Sequence, residues 1–297
     1  MVVVRQTLLA NGPFDGDRLL SFLGTHAVKG VETWDGVAYA RTLAMSAPAT
    51  VTLRAVPGGV DVTIESAVSD VETALGLVAH LCGLDDDPTA AQATLVRDPH
   101  LAALVARRPG LRRPGSVDAA ETLVRTVVGQ QVSLAGASAA AARLVERAGQ
   151  PLGSAHGLTH LFPTPAALAR LDPASLPMPR ARGSTVVALA AGLAADPQLA
   201  DDDTALLALP GIGPWTVDYA RFRSRRDPDV LLAGDLAVRR QVEALGIAAG
   251  PDDVRRLGES WSPHRSTAMM HLWSEYLERP RRSPAGRSSP PPSTCCS

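Results

Sequence analysis

Three apolar-rich stretches early in the chain read as strands, the third by strict alternation of apolar and polar residues. They are Val2–Leu9, Val51–Arg54 and, after the turn-forming Pro57-Gly58-Gly59, Val60-Asp61-Val62-Thr63-Ile64. Asp17–Gly24 and Val71–Cys82 instead repeat their apolar residues at helical spacing. Asp85-Asp86-Asp87-Pro88 then breaks the pattern as a solvated stretch, which predicts an α+β domain over 1–88 with its boundary there.

From residue 89 onward the pattern is almost wholly helical. Asp118-Ala-Ala-Glu121 resembles a capping box, and Leu123, Val124, Val127 and Val128 follow it on one face. Gly129-Gln130-Gln131-Val132-Ser133 interrupts, and Ser133 caps a predicted Ala/Gly-rich helix to about Ala148. Its small residues Ala135, Gly136 and Ala139 predict a close approach by another helix. Further helices are predicted from Pro163–Pro165, over Gly183–Ala195, from Pro251 and over Ser266–Leu277. Residues 279–297 are rich in Arg, Ser and Pro, which predicts a disordered tail.

An apolar fraction of 45% over 297 residues is enough for a substantial core. The absence of a membrane-length apolar run and of a signal-peptide pattern in MVVVRQTLLANG predicts a cytoplasmic protein. Three cysteines, two of them adjacent at Cys295-Cys296, make no disulfide framework. The net charge of −1 hides an asymmetry: residues 1–100 carry six basic and twelve acidic side chains, the remainder twenty-three basic and eighteen acidic. Any electrostatic footprint for phosphate therefore lies in the last two-thirds. Nearly all the basic residues are arginine, and Lys29 is the only lysine.

The chemistry concentrates in LLALPGIGPWTVDYARFRSRRDPDVLLAGD, Leu206–Asp235. Two glycines between two helical patterns allow a turn whose backbone N–H groups face outward at a helix N-terminus, a geometry that accepts a phosphate oxygen. An ordinary αα-hairpin turn explains the same residues equally well. Asp235 reads first as an N-cap for the helix predicted over Leu236–Leu245, and a carboxylate there also suits catalysis.

The segment Leu209-Pro-Gly-Ile-Gly-Pro-Trp-Thr216 resembles the helix-hairpin-helix element of DNA glycosylases, with Asp235 where that superfamily places its catalytic aspartate. The resemblance is to the AlkA-type 3-methyladenine DNA glycosylases II. Arg108–Gly115, Val127–Ser133, Phe162–Pro165, Trp261–Ser266 with His271-Leu-Trp273, and Val28–Thr33 with Tyr39-Ala-Arg41 carry it over about residues 1–278. It implies an α+β N-terminal domain with an antiparallel sheet, like half of a TATA-binding protein. A mostly α glycosylase fold of two helical subdomains follows: 113–230, containing the hairpin, and 89–112 plus 231–278.

The resemblance also implies roles. Asp235 would stabilise the positive charge that develops on the deoxyribose and orient the attacking water. Trp215, Tyr219, Trp273 and Phe22 would line a base pocket whose aromatic faces attract cationic alkylated purines. Singly, each of these aromatics reads as core before it reads as a ligand contact. Gly211, Ile212, Gly213, Thr216, Gln130, Gln131 and Arg265 would meet DNA. Gln131 stands where the family places the leucine that fills the vacated base stack, so the plug is open here; the two glutamines also suit a plain interhelical turn. His264 and Arg265 read equally as phosphate contacts or as a structural loop.

Family members that also cut the backbone carry a lysine just after the hairpin; here Trp215 occupies that position, which implies hydrolysis by water without lyase activity. Three cysteines cannot supply an iron–sulfur cluster, and no His/Cys/Asp cluster has metal-ligand spacing. A monovalent cation on hairpin carbonyls is the one ion implied. The expected partner is duplex DNA with alkylated bases, bound by a monomer away from any membrane. The rival readings are a non-enzymatic DNA-binding protein and a glycosylase for deaminated or oxidised bases.

Overall fold

The computed structural model of the chain describes residues 1–155 and 157–278; the tail predicted for 279–297 lies outside them. The first part is an antiparallel sheet, ordered β1-β5-β4-β3-β2. Its strands are β1 (Val2–Leu9), β2 (Glu32–Trp34), β3 (Ala38–Leu43), β4 (Ala49–Val56) and β5 (Gly59–Ser66). Register pairs Val51 with Ile64 and Tyr39 with Leu53, so the alternating apolar residues share one face. Helices α1 (Gly16–Thr25) and α2 (Val71–Cys82) cover that face, with Leu19, Leu20, Leu23, Val78 and Leu81 forming a core with Val51, Leu53, Val62 and Ile64. The strands β2 and β3 were not predicted, and β3 is buried at all six positions.

The remainder is mostly helical: α3 (Thr89–Leu95), α4 (Ala102–Arg107), α5 (Ala119–Val128) and α6 (Leu134–Ala148), a short hairpin of β6 (Pro151–Ala155) and β7 (Leu158–His160), then α7 (Pro165–Leu168), α8 (Arg180–Ala195), α9 (Asp203–Ala208), α10 (Pro214–Ser224), α11 (Leu236–Ala244), α12 (Pro251–Gly258) and α13 (Arg265–Glu278). The helices start where their caps dictate. Asp118 accepts from Glu121 N–H, Ser133 from Gly136 N–H and Asp202 from Ala205 N–H, each satisfying a donor the helix cannot.

Two further cores separate. One joins α5, α6, α8 and the hairpin through Leu123, Val127, Leu144, Val186 and Ile212; Val28 and Val31 from the first part of the chain also enter it. The other gathers Leu101, Leu111, Val230, Val238, Trp261 and Met269. Ala135 and Ala139 are exposed, so the predicted close helix approach is not there; α6 buries Ala140, Ala141, Leu144 and Val145 instead. Nor is Asp85-Asp86 merely a solvated break. Arg226 pairs with both carboxylates and Arg113 reaches Asp86 at 2.7 Å, so the segment is an ionic seam to the end of α10.

A buried ion quartet ties the sheet to α5. Arg41 on β3 reaches Glu121 at 2.8 Å and Glu32 at 3.4 Å, while Arg125 reaches Glu121 at 2.8 Å and Glu32 at 3.0 Å. Tyr39 Oη adds a hydrogen bond to Glu32 at 2.5 Å. Burial pushes the Glu32 carboxyl up, but the Arg125 and Arg41 charges outweigh it and hold it at about 2. Among the described residues no helix is long and apolar enough to cross a membrane.

Candidate active site

A cleft of about 1080 Å³ opens where the sheet domain meets both helical cores, lined among others by Phe22, Trp215, Tyr219, Asp235 and Trp273. Asp235 arrives there because α11 needs a cap: its Oδ1 accepts from Ala237 N–H (2.9 Å) and Val238 N–H (3.0 Å). The same oxygen takes the Trp273 indole N–H at 2.9 Å. Three donors thus pin one carboxylate oxygen, and Oδ2 has no hydrogen-bond partner among the described residues. The residue that caps α11 thus also lines the cleft.

The aromatics form a continuous wall beside it. Trp215 and Tyr219, one turn apart on α10, stack at 5.3 Å with planes 14° apart. Tyr219 meets Trp273 at 6.4 Å, and Trp273 meets Phe222 edge-on at 5.5 Å. Trp273 is 8% exposed and serves the core and the site together, whereas Trp215 at 37% presents a face to solvent. Phe22 comes from α1, and the Arg223 guanidinium lies 5.5 Å from its ring centroid.

The hairpin between α9 and α10 is positioned by Ile212, buried at 6% exposure in the α5–α8 core. Gly211 sits at φ +84°, and the N–H groups of Gly211, Gly213 and Trp215 carry no hydrogen-bond partner among the described residues. Three outward donors at the start of an eleven-residue helix make an anion seat. Residues 6–118 match the family model described as the AlkA N-terminal domain. Over 282 residues the chain is 33% identical to DNA-3-methyladenine glycosylase 2 of Escherichia coli (strain K12), an alignment covering 90% of this chain and 96% of that protein. The chain belongs to the AlkA family.

A second relative of this AlkA-family chain, from Mycobacterium tuberculosis (strain H37Rv), is named "Probable bifunctional transcriptional activator/DNA repair enzyme AlkA"; it is 39% identical over 284 residues, 92% of this chain. The chain spans 57% of that relative's length. The solved structure of a 3-methyladenine DNA-glycosylase from Archaeoglobus fulgidus shares the fold, with a TM-score of 0.80 at 20% identity over 92% of this chain and 98% of that one.

The predicted residues do not all converge. Gln130, Gln131, Gly213 and Thr216 line the cleft with the aromatics, whereas Gly211, Ile212 and Arg265 are absent from its lining. Arg265 holds Asp229 with Nε and Nη2, both at 2.8 Å, so its charge is spoken for. The two glutamines separate in function. Gln130 Nε2 donates to Gly211 O (3.1 Å) and Thr216 Oγ1 (3.2 Å), tying the α5–α6 turn to the hairpin. Gln131 is exposed at φ +56°, a strained backbone for a side chain, and is the one that projects from the turn.

The carbonyls of Leu209, Pro210 and Gly211 each already accept a hydrogen bond, from Ile212 N–H, Thr185 Oγ1 and Gln130 Nε2. Each of these oxygens keeps a second lone pair, so the bonds neither place nor exclude the implied monovalent cation. Among the described residues no group of three or more His, Cys, Asp or Glu is placed to hold a metal ion.

Sequence reasoning missed three groups. His26 and Arg223 line the cleft, and the former's spacing of four from Phe22 on α1 was a usable signal. Arg180 and Arg182 open α8, whose Thr185 holds the hairpin, and neither makes an ion pair among the described residues.

Gly211 offers a direct check of the hairpin. A Cβ there would lie 2.2 Å from Thr185 Oγ1 on a left-handed backbone. Gly211→Ala is expected to cost about 1–3 kcal/mol by crowding and to weaken duplex binding. Urea unfolding and fluorescence-anisotropy titration read the two effects; an unchanged protein in both would remove the turn from DNA binding.

Proposed function

We propose that the chain is a monofunctional DNA glycosylase that flips N-alkylated purines of the 3-methyladenine and 7-methylguanine type out of duplex DNA and hydrolyses their glycosidic bond. The observation that carries this reading is the Asp235 carboxylate, one oxygen fixed by three donors and the other free, in an aromatic cleft beside an anion seat. As the C1′–N bond breaks, its electron pair leaves with the base, and the alkylated ring, already cationic, departs neutral. Positive charge is left on the sugar, where a fixed carboxylate stabilises it without reorganising. Water adds to C1′ as Asp235 orients it and accepts its proton, and an abasic site remains.

The stacked Trp215 and Tyr219 faces attract a cationic base, each such contact being worth about 0.5–2 kcal/mol. Gln131 fills the vacated stack, and the N–H groups of the hairpin grip the phosphate. Water is the nucleophile because the position after the hairpin holds Trp215, and Lys29, the only lysine, does not line the cleft. No cofactor is called for. Solved neighbours include a 3-methyladenine DNA glycosylase of Schizosaccharomyces pombe in complex with abasic DNA, which supports DNA as the partner.

The test is incubation with methylated, deaminated and oxidised duplexes, chromatography of free bases, and borohydride trapping. Methylated purines are expected to be released with no trapped adduct. Salt-sensitive duplex binding without any free base would reduce the protein to DNA binding alone, and a trapped adduct would end the monofunctional reading.

A further inference from the structure

The wall that the sheet domain lends to the cleft carries an oriented polar group that the reaction as described does not use. Phe22 and His26, four residues apart on α1, both line the cleft, with ring centroids 4.2 Å apart and planes tilted by 31°. The His26 ring is held in one orientation: Nδ1 lies 2.7 Å from the Phe22 carbonyl oxygen. A carbonyl only accepts, so Nδ1 carries the hydrogen and Nε2 the lone pair. Nε2 has no partner among the described residues. The backbone is fixed as well, since Arg125, anchored in the buried quartet, donates to the His26 carbonyl at 2.7 Å.

Charge keeps that lone pair in place. Burial lowers the His26 pKa to about 4 against the opposing Phe22 carbonyl bond, and the neighbouring Arg223 and Arg125 charges add to the lowering while Glu32 opposes it. At neutral pH the ring is therefore an uncharged acceptor. An uncharged imidazole adds no repulsion towards a cationic base, and its open lone pair is free to accept from a bound donor. On a purine the donors are the exocyclic amino groups and, in 6-oxopurines, the ring N1–H, which 7-methylhypoxanthine keeps while lacking any amino group; a carbonyl oxygen at the same place meets lone pair with lone pair.

Resting on the glycosylase reading above, we infer that His26 is a specificity-determining residue whose Nε2 accepts a hydrogen bond from an exocyclic amino group of the flipped purine. Arg223, whose guanidinium lies 5.5 Å from the Phe22 ring centroid, is held in place. Three of its N–H groups are committed to Pro114 O (3.0 Å), Gly115 O (2.8 Å) and Tyr219 Oη (3.2 Å), which braces the aromatic wall.

Three lesions separate the contributions: 3-methyladenine with an amino group at C6, 7-methylguanine with one at C2, and 7-methylhypoxanthine with none. All are generated by dimethyl sulfate in duplexes of defined sequence, and single-turnover release is followed by chromatography. His26→Phe, which keeps a ring against Phe22, is expected to slow at least one amino-bearing lesion about five- to tenfold, the loss of one net hydrogen bond. Release of 7-methylhypoxanthine should stay within about twofold of the parent on the same grounds. His26→Leu gives the same readout should the Phe variant fail to fold. Equal slowing of all three lesions, or no slowing of any, overturns the inference while leaving the glycosylase reading intact. If the parent protein releases none of the three, both fall together.

Discussion

Asp235→Asn is expected to cut base release by about a thousandfold, the scale of losing one preorganised electrostatic partner of the transition state, while the protein stays folded and keeps its affinity for abasic DNA. The geometry makes the substitution unusually selective. All three hydrogen bonds to Asp235 converge on Oδ1, from Ala237 N–H, Val238 N–H and Trp273 Nε1. An asparagine carbonyl accepts all three, and asparagine is as good an N-cap as aspartate. Only the charge, and the acceptor at the free oxygen, disappear. Asp235→Ala would remove the cap as well and add about 1 kcal/mol of destabilisation, so the two variants separate catalysis from folding. The measurement is single-turnover release of methylated purines together with binding to an abasic duplex. Undiminished excision by the asparagine variant would take Asp235 out of the chemistry.

The second large effect is on stability. Arg41→Met is expected to destabilise the protein by about 3–5 kcal/mol, the usual cost of breaking a buried ion pair from one side. Arg41 and Glu32 each show 4% of their side chains and Glu121 shows 8%, so solvent cannot take over the lost charge. Two guanidiniums balance two carboxylates in this quartet, and removing one cation leaves a buried excess of negative charge. Adding Glu121→Gln restores the balance, so the double variant should be less destabilised than the sum of the singles.

The same quartet sets an acid limit. The Glu32 pKa is about 2 in the folded protein and near its ordinary 4.5 when unfolded. The stability it contributes is therefore complete above about 4.5 and is lost as pH falls towards about 2. Urea midpoints across that range, for the parent and for Arg41→Met, read both effects. A single variant within about 1 kcal/mol of the parent would mean that the quartet behaves like an exposed pair.

How much of this was legible depended on whether the cause was local. The helix over Val71–Cys82 was found with its observed bounds, and Asp118, Ser133 and Asp235 were read as caps because a cap is decided within four residues. The unpredicted β3 shows the opposite case. Its sequence Ala38-Tyr-Ala-Arg-Thr-Leu43 has no apolar alternation because both faces are buried, one on the sheet core and the other against α5 through Arg41. Only the fold reveals that an arginine can be an inside residue there.

The small-residue face of α6 failed for a related reason. Ala135 and Ala139 permit a close approach, but permission does not supply a partner. In the site, Asp235, Trp215 and Tyr219 were found on a contiguous stretch, whereas His26 depends on Arg125, 99 residues away, and on an ion quartet no spacing announces.

Because one side of the cleft is cut from the sheet domain, the proposed catalytic carboxylate and the proposed His26 contact to the base belong to different parts of the molecule. Phe22 and His26 sit on α1, and Asp235 sits at the start of α11. Substitutions on the former can broaden or narrow the accepted lesions without disturbing the carboxylate.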